Sequence, residues 1–263
     1  MNSLLLGFYE LVAALGFHPS WLFLGFQEIR LRYRRSVLGP IWLTLSTAIF
    51  ILTLSFLWSS ILSSDLKTYV PYFAIGQIIW VWISTSVAES CVGFSLYEGM
   101  IKQVKLPFPI YILRICTKNF IILLHNFVVI LIIIVLIFPS VEFFSFLLVI
   151  PALLIIQTCI FSVSLFLGIV CTRYRDITQI VTSLMQLMFF FTPIMWFVKS
   201  LGSRQWIAEF NPLYHLISII RLPLLGQFPT LLNWVWAIST TILLLVIALR
   251  YLGKYTKKIA YWL

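Results

Sequence analysis

At 263 residues, with 62% hydrophobic and only 10% charged positions, the chain lacks the polar surface that a soluble domain needs and reads as an all-α integral membrane protein. Its net charge of +10 would point to nucleic acid in a soluble protein. Here the basic residues sit in short segments between apolar runs, where membrane topology and anionic lipid account for them, so nucleic acid is not expected as a partner.

The first 29 residues are apolar but carry Glu10, His18, Pro19 and Glu28, which predicts one or two helices lying at the membrane interface rather than a span. A basic stretch follows, from Arg30 through Arg32, Arg34 and Arg35 to Gly39-Pro40-Ile41-Trp42, and works as a hinge into the membrane. Residues 1–39 are thus expected to form an N-terminal segment with an amphipathic interface helix. Residues 40–252 form the transmembrane domain and residues 253–263 a basic tail.

Six spans are expected, at about 41–62, 69–92, 112–138, 146–171, 177–198 and 228–249. The first is uncharged over 22 residues, enough at about 1.5 Å per residue to cross a hydrocarbon core of roughly 30 Å. Between spans two and three, Gly93 to Pro109 reads as a polar loop with a short helix stopped by Pro107-Phe108-Pro109. Arg114 and Lys118 precede the uncharged core of span three and are expected to snorkel to the arginine-bearing side. Within that span His125 and Asn126 are expected to form an interhelical hydrogen-bonding pair. Pro193 is expected to kink span five near its end. Residues 199–227 alternate charged with aromatic and aliphatic residues and are split by Asn211-Pro212, which predicts re-entrant or gate helices.

On this topology 14 of the 18 Lys and Arg residues fall on one side, leaving Lys67, Lys199, Arg204 and Arg221 on the other. The positive-inside bias then places both termini in the cytoplasm. The four cysteines show no paired or metal-like spacing and read as buried free thiols.

No phosphate-binding Gly-x-x-x-x-Gly-Lys-Ser/Thr loop, His-Glu-x-x-His zinc motif or Gly-x-Ser-x-Gly elbow is present, so no catalytic residue, metal ligand or bound cofactor is expected. Only Glu89 lies within an expected span, which leaves ion-coupled transport without mid-membrane groups to bind a driving ion. Aromatic residues make up 17% of the chain and gather near the side away from the arginines. They form an interface belt or, alternatively, line a sugar pathway, since aromatic faces stack on the apolar faces of sugars.

Several stretches in order resemble the six-span permeases of ATP-binding-cassette exporters of lipid-linked polysaccharide. They are Arg32-Tyr33-Arg34-Arg35-Ser36-Val37-Leu38-Gly39-Pro40-Ile41-Trp42, Lys102 to Pro109, Arg173-Tyr174-Arg175-Asp176-Ile177, Phe191 to Trp196 and Asn211-Pro212-Leu213-Tyr214. The resemblance implies a homodimer in the bacterial inner membrane, served by two copies of a cytoplasmic ATPase subunit that uses ATP and Mg. It implies coupling through Glu98, Lys102 and Lys105, and an outer gate carrying Trp206, Phe210 and Tyr214. The diphosphate of a polyprenyl-linked glycan such as O-antigen would be received by Arg30, Arg32, Arg34 and Arg35. The glycan would pass Trp58, Tyr69, Phe189, Phe190 and Trp196. A drug or small-lipid permease, and a membrane enzyme acting on polyprenyl-phosphate sugars, are the alternatives. The enzyme would need a carboxylate constellation, for which Glu10, Glu28, Glu98 and Asp176 are too scattered in sequence.

Overall fold

The computed structural model describes residues 2–34, 39, 41–137 and 143–263, and among these every regular element is helical. The chain opens with α1 (Ser3–Gly16), whose first turn is capped by the Asn2 side chain accepting from Leu4 N at 3.3 Å. After a corner at Phe17, α2 (His18–Tyr33) starts with Pro19 in its first turn, where a missing N–H costs nothing. The Trp21 indole donates to Ala14 O at 3.1 Å and braces the corner. Leu5, Phe8, Val12 and Leu15 lie exposed along one face of α1, while Gly7 and Ala14 are buried on the other. This is the pattern expected of a helix lying along a membrane surface.

Gly39, at φ +54°, turns the chain into α3 (Ile41–Ile61). Asp65 caps α4 (Leu66–Cys91), and a 3-10 turn at Ser95–Tyr97 leads into the short α5 (Glu98–Gln103). Next come α6 (Pro109–Ile137), α7 (Phe143–Leu147) and α8 (Val149–Arg173). After α9 (Ile177–Phe191) the chain forms a 3-10 segment at Val198–Arg204, α10 (Trp206–Glu209) and α11 (Pro212–Leu224) before the long α12 (Leu231–Trp262).

The centre of the bundle is α4, buried along most of its length from Tyr69 to Cys91 and packed against α3, α6, α8, α9 and α11. A second seam joins α8 to α12, and α1 lies across the last turns of α12. At that crossing a Cβ on Gly7 would overlap the backbone of Leu249, and one on Gly253 the backbone of Ser3, so the two helices meet backbone to backbone. By contrast, α3 and α9 are peripheral and carry exposed apolar faces, including Ile49, Phe50, Phe56, Ile180, Leu184 and Leu187.

Five helical stretches have the length and composition to cross a membrane: Ile41–Ile61, Leu66–Cys91, Pro109–Leu136, Ser145–Arg173 and Leu231–Trp262. The stretch expected as span five, 177–198, is helical only to Phe191. Its 15 residues reach about 22 Å, short of a full crossing. Pro193 ends this helix rather than kinking it, because proline disfavours helical backbone at the residue before it, and Thr192 is extended at φ −89°, ψ 135°. The expected basic tail is also different in form. Nothing breaks α12 before Trp262, and Tyr255, Ile259 and Trp262 pack inward while Lys257 and Lys258 stay exposed.

Candidate functional site: a membrane groove and the charge cluster at its mouth

The last turns of α2 and α4 and the first third of α6 converge at the arginine-bearing end of the bundle. There Glu89 accepts from Lys118 Nζ at 2.7 Å and from Asn119 Nδ2 at 2.8 Å, and Arg32 stands 3.8 Å away. Beside it Glu28 pairs with Arg114 and lies 3.4 Å from Lys118, and it accepts from the Tyr97 hydroxyl at 2.9 Å. The Arg114 guanidinium lies over the Tyr97 ring, 3.8 Å from its centre, and donates to the Tyr97 hydroxyl at 2.7 Å. Burial pushes the Tyr97 hydroxyl above its ordinary pKa. Three cations therefore face two carboxylates, and the excess positive charge falls at Arg32, whose side chain is half exposed.

Arg114 and Lys118 do not snorkel. They are buried at 2% and 6% exposure, since carboxylates from α2 and α4 meet them inside the bundle. Glu28, read as isolated in sequence, is one of those partners. Sequence reasoning missed this cluster, although its signal was visible: two basic residues one turn apart at the start of an apolar helix need acidic partners if the helix is buried.

From Glu89 a groove of about 660 Å³ runs between α3, α4 and α9. Its walls carry Gln77, Ser84 and Thr85 from α4, Thr182 and Gln186 from α9, and the rings of Phe50, Trp80, Phe189 and Phe190. Trp80 and Phe189 are in ring contact at 5.8 Å, and Phe189 and Phe190 at 5.3 Å. Gln77 is buried with its carbonyl oxygen unpaired. Ser84 and Thr182 turn their hydroxyls back onto their own helices, at Val81 O and Thr178 O, whereas the Gln77 carbonyl oxygen has no such partner and favours water or a polar substrate beside it.

At the opposite end, the segment from Thr192 to Phe197 is tied to the bundle. The Tyr69 hydroxyl donates to Met195 O at 2.7 Å, and the Tyr72 hydroxyl lies 3.0 Å from both Pro193 O and Trp196 O. Arg221 Nη1 donates to Pro193 O at 2.7 Å. Tyr69 is fully buried and stacks on Phe73 at 5.9 Å, so its ring faces helix packing and not the groove.

The remaining sequence-predicted residues fall in several places. Phe189 and Phe190 line the groove, Trp58 packs half-buried against the core, and Trp196 donates to Phe190 O at 2.9 Å at the groove's far end. Arg30, Arg32 and Arg34 are exposed, and of these Arg32 reaches the mouth through Glu89, while Arg35 lies outside the described residues. On α5, Lys102 donates to Glu98 at 2.5 Å, which holds that carboxyl below its usual range, and Lys105 is exposed just beyond. Trp206 and Phe210 are exposed, with Phe210 in edge contact with Trp236, while Tyr214 lines a separate cavity. His125 and Asn126 do not form the expected interhelical pair. His125 Nδ1 lies 2.8 Å from Ile121 O on its own helix, and the Asn126 carbonyl oxygen is unpaired. All four cysteines are free and buried.

Comparison with known proteins extends over most of this architecture. The family described as ABC-2 type transporter matches residues 20–225, from the interface helix through α11. The O-antigen export system permease protein RfbA of Myxococcus xanthus is 25% identical over 202 residues, covering 73% of this chain and 75% of that protein. The protein of the same name from Klebsiella pneumoniae is 25% identical over 198 residues, covering 73% of this chain and 74% of its own length. The charge cluster, the groove and the tethered far-end segment all fall within the matched region, and the chain belongs to the ABC-2 type transporter family as a multi-pass membrane permease, not an enzyme.

Proposed function

We propose that this chain is the permease half of an ATP-driven exporter that carries a polyprenyl-diphosphate-linked polysaccharide, of the O-antigen kind, across the bacterial cytoplasmic membrane. The observation that carries this reading is the polar and aromatic groove between α3, α4 and α9, opening beside Arg32 and Glu89 at the basic end. In this reading the basic end faces the cytoplasm. Arg30, Arg32, Arg34 and Arg35 receive the diphosphate, because guanidinium forks match phosphate oxygens and Arg32 is held near Glu89 only loosely, at 3.8 Å. Each copy contributes half of a pathway, and a second copy closes the open side of the groove. The glycan slides past Trp80, Phe189 and Phe190, whose faces bind sugars without a fixed register.

Energy comes from a separate ATPase subunit, present in two copies, that uses ATP with Mg. It docks on α5 around Glu98, Lys102 and Lys105, next to a cleft of about 1150 Å³ that also presents Lys254, Lys257 and Lys258. A push on α5 reaches the groove through Tyr97, which links the loop to Glu28 and Arg114. The relatives named for O-antigen export support the choice of cargo.

The test is deletion of the gene followed by electrophoresis of surface polysaccharide and assay of polyprenyl-linked glycan inside the cell. Loss of surface glycan with internal accumulation is expected. Unchanged surface glycan without accumulation would overturn the proposal. Replacing Arg30, Arg32, Arg34 and Arg35 together with Gln is expected to stop export while leaving membrane expression and ATPase binding intact, and normal export in that variant would remove their phosphate role.

A further inference from the structure

The cleft of about 1150 Å³ at the basic end opens between α1, the loop after α5 and the last turns of α12. Lys254, Lys257 and Lys258 are spaced i, i+3 and i+4, which sets them on one face of α12, while Tyr255, Ile259 and Trp262 pack inward. All three are exposed and line the cleft, and Lys105 joins them from the loop. Among the described residues no carboxylate pairs with any of these four, whereas Lys102, also in the lining, has Glu98. Glu10 lies half-buried in the same lining without an ion pair to any lysine, and burial pushes its carboxyl above its ordinary pKa, toward the uncharged form. Like charges three and four residues apart on a helix repel, and an anion seated against them relieves that repulsion.

Depth in the membrane decides which kind of anion fits. From Leu231 to Leu249 α12 carries no charge, and those 19 residues cover about 28 Å of a hydrocarbon core of roughly 30 Å. Lys254 lies about 7 Å past Leu249, within the headgroup layer, and Lys257 and Lys258 stand one turn further on, in reach of that layer on their four-carbon stems. The opposite wall is α1, whose exposed Leu5, Phe8, Val12 and Leu15 set it along the membrane surface at the same level. Between the amines the lining is apolar, with Leu6, Leu106 and Phe108. A soluble phosphate or an acidic protein segment would use the amines and leave this apolar lining idle, whereas a lipid uses both. Gly253, where α12 crosses α1 backbone to backbone, is part of the lining, so the site is built on a fixed joint.

We propose that this cleft binds an anionic phospholipid of the cytoplasmic leaflet, its phosphate diester held by Lys105, Lys254, Lys257 and Lys258 and the start of its acyl chains laid against Leu6, Leu106 and Phe108. The bound lipid ties α1, α12 and the loop after α5 to one another. It is bilayer lipid and not cargo, so the inference goes beyond the export reading, and only the choice of leaflet rests on it. Because binding is measured on the chain without transport, its failure leaves export standing, and an unchanged surface glycan on deletion leaves the binding result standing.

The full chain is placed in phosphatidylcholine nanodiscs with a bimane dye on Ala13→Cys, an exposed position in the cleft lining, the native cysteines being buried. Phosphatidylglycerol with brominated acyl chains, which quenches the dye only at close range, replaces phosphatidylcholine in steps. Quenching that saturates at a low fraction of phosphatidylglycerol is expected, against a shallow linear response to brominated phosphatidylcholine. The fraction that gives half-quenching is expected to rise about tenfold when Lys254→Gln, Lys257→Gln and Lys258→Gln are combined, and to change by less than about twofold when the same three are replaced with Arg. Lys199→Gln with Arg204→Gln, which removes exposed positive charge from the far end, should leave the curve unchanged. Substitution at exposed positions keeps the inward face of α12, and the Arg variant separates loss of charge from loss of fold. Equal curves for the two lipids, parental binding in the triple Gln variant, equal weakening in the triple Arg variant, or equal weakening on neutralising Lys199 and Arg204 would overturn the proposal. So would relief of quenching by millimolar glycerol 3-phosphate, which would assign the cleft to a soluble phosphate, or by polyglutamate, which would assign it to an acidic protein segment.

Discussion

Arg114 and Arg221 are both buried guanidinium groups, and their surroundings treat them differently. Arg114 sits between the Glu28 carboxylate and the Tyr97 ring, and Lys118 is shared between Glu28 and Glu89. Removing one partner of such a pair leaves an uncompensated charge. Glu28→Ala is therefore expected to destabilise the protein by about 3–5 kcal/mol. Thermal unfolding of the purified protein followed by fluorescence-detected size exclusion measures this. A double variant, Glu28→Leu with Arg114→Met, should recover most of the loss, because apolar groups of similar volume need no counter-ion. If Glu28→Ala unfolds at the wild-type temperature, the pair does not hold α2 to α6. Arg32 lies at the edge of the same cluster with more exposure and a longer distance to Glu89, which leaves it free to exchange that partner for another anion.

At the scale of elements, two joints set the geometry. The first is the crossing of α1 and α12, where Gly7 and Gly253 allow backbone contact. Leu in place of either has no flexible neighbour to displace, because the overlapping atoms are backbone. Gly253→Leu is expected to lift α1 off α12 and expose the α1–α2 corner to limited proteolysis at protease concentrations that leave the wild type intact. The second joint is the segment after α9. Its carbonyls at Pro193, Met195 and Trp196 accept from Tyr69, Tyr72 and Arg221. Each such bond contributes about 0.5–1.5 kcal/mol. Tyr69→Phe combined with Tyr72→Phe should free the segment enough for a Trp196→Cys thiol to react with a water-soluble maleimide several times faster than in the parent. An unchanged labelling rate would show that the tyrosines do not hold it.

At the scale of the molecule, the proposed function gives each chain half a pathway. Gln77, Ser84, Thr85, Thr182 and Gln186 line a groove that no helix among the described residues covers, and the outer face of α9 beside it is apolar. If a second copy closes the groove, cysteines at Leu184 or Ile180 should cross-link between copies in membranes. Cysteines at Ile242 or Leu243 on α12, also exposed but outside the groove lining, should not. Equal cross-linking at both places would show contact without a defined interface. Export measured with the same cross-link formed tests whether the copies must move apart, and a drop of tenfold or more is expected if they do.

The sequence by itself determined the helical membrane class, the clustering of basic residues between the apolar runs and the order of the family's signature stretches. Lipid forces backbone polar groups to pair within helices, so hydropathy reports these features directly. Its reading was weaker where a local breaker competes with a long apolar run, as at Pro193, where α9 stops at Phe191. Only the tertiary structure decided which charges meet. Glu28 finds Arg114, Glu89 finds Lys118, and Arg221 finds the Pro193 carbonyl. It also decided which polar side chains share the groove. The physical reason is that a helix apolar on nearly every side carries little record of its own rotation, and that rotation, set by packing against α4, brings residues from distant stretches into one site.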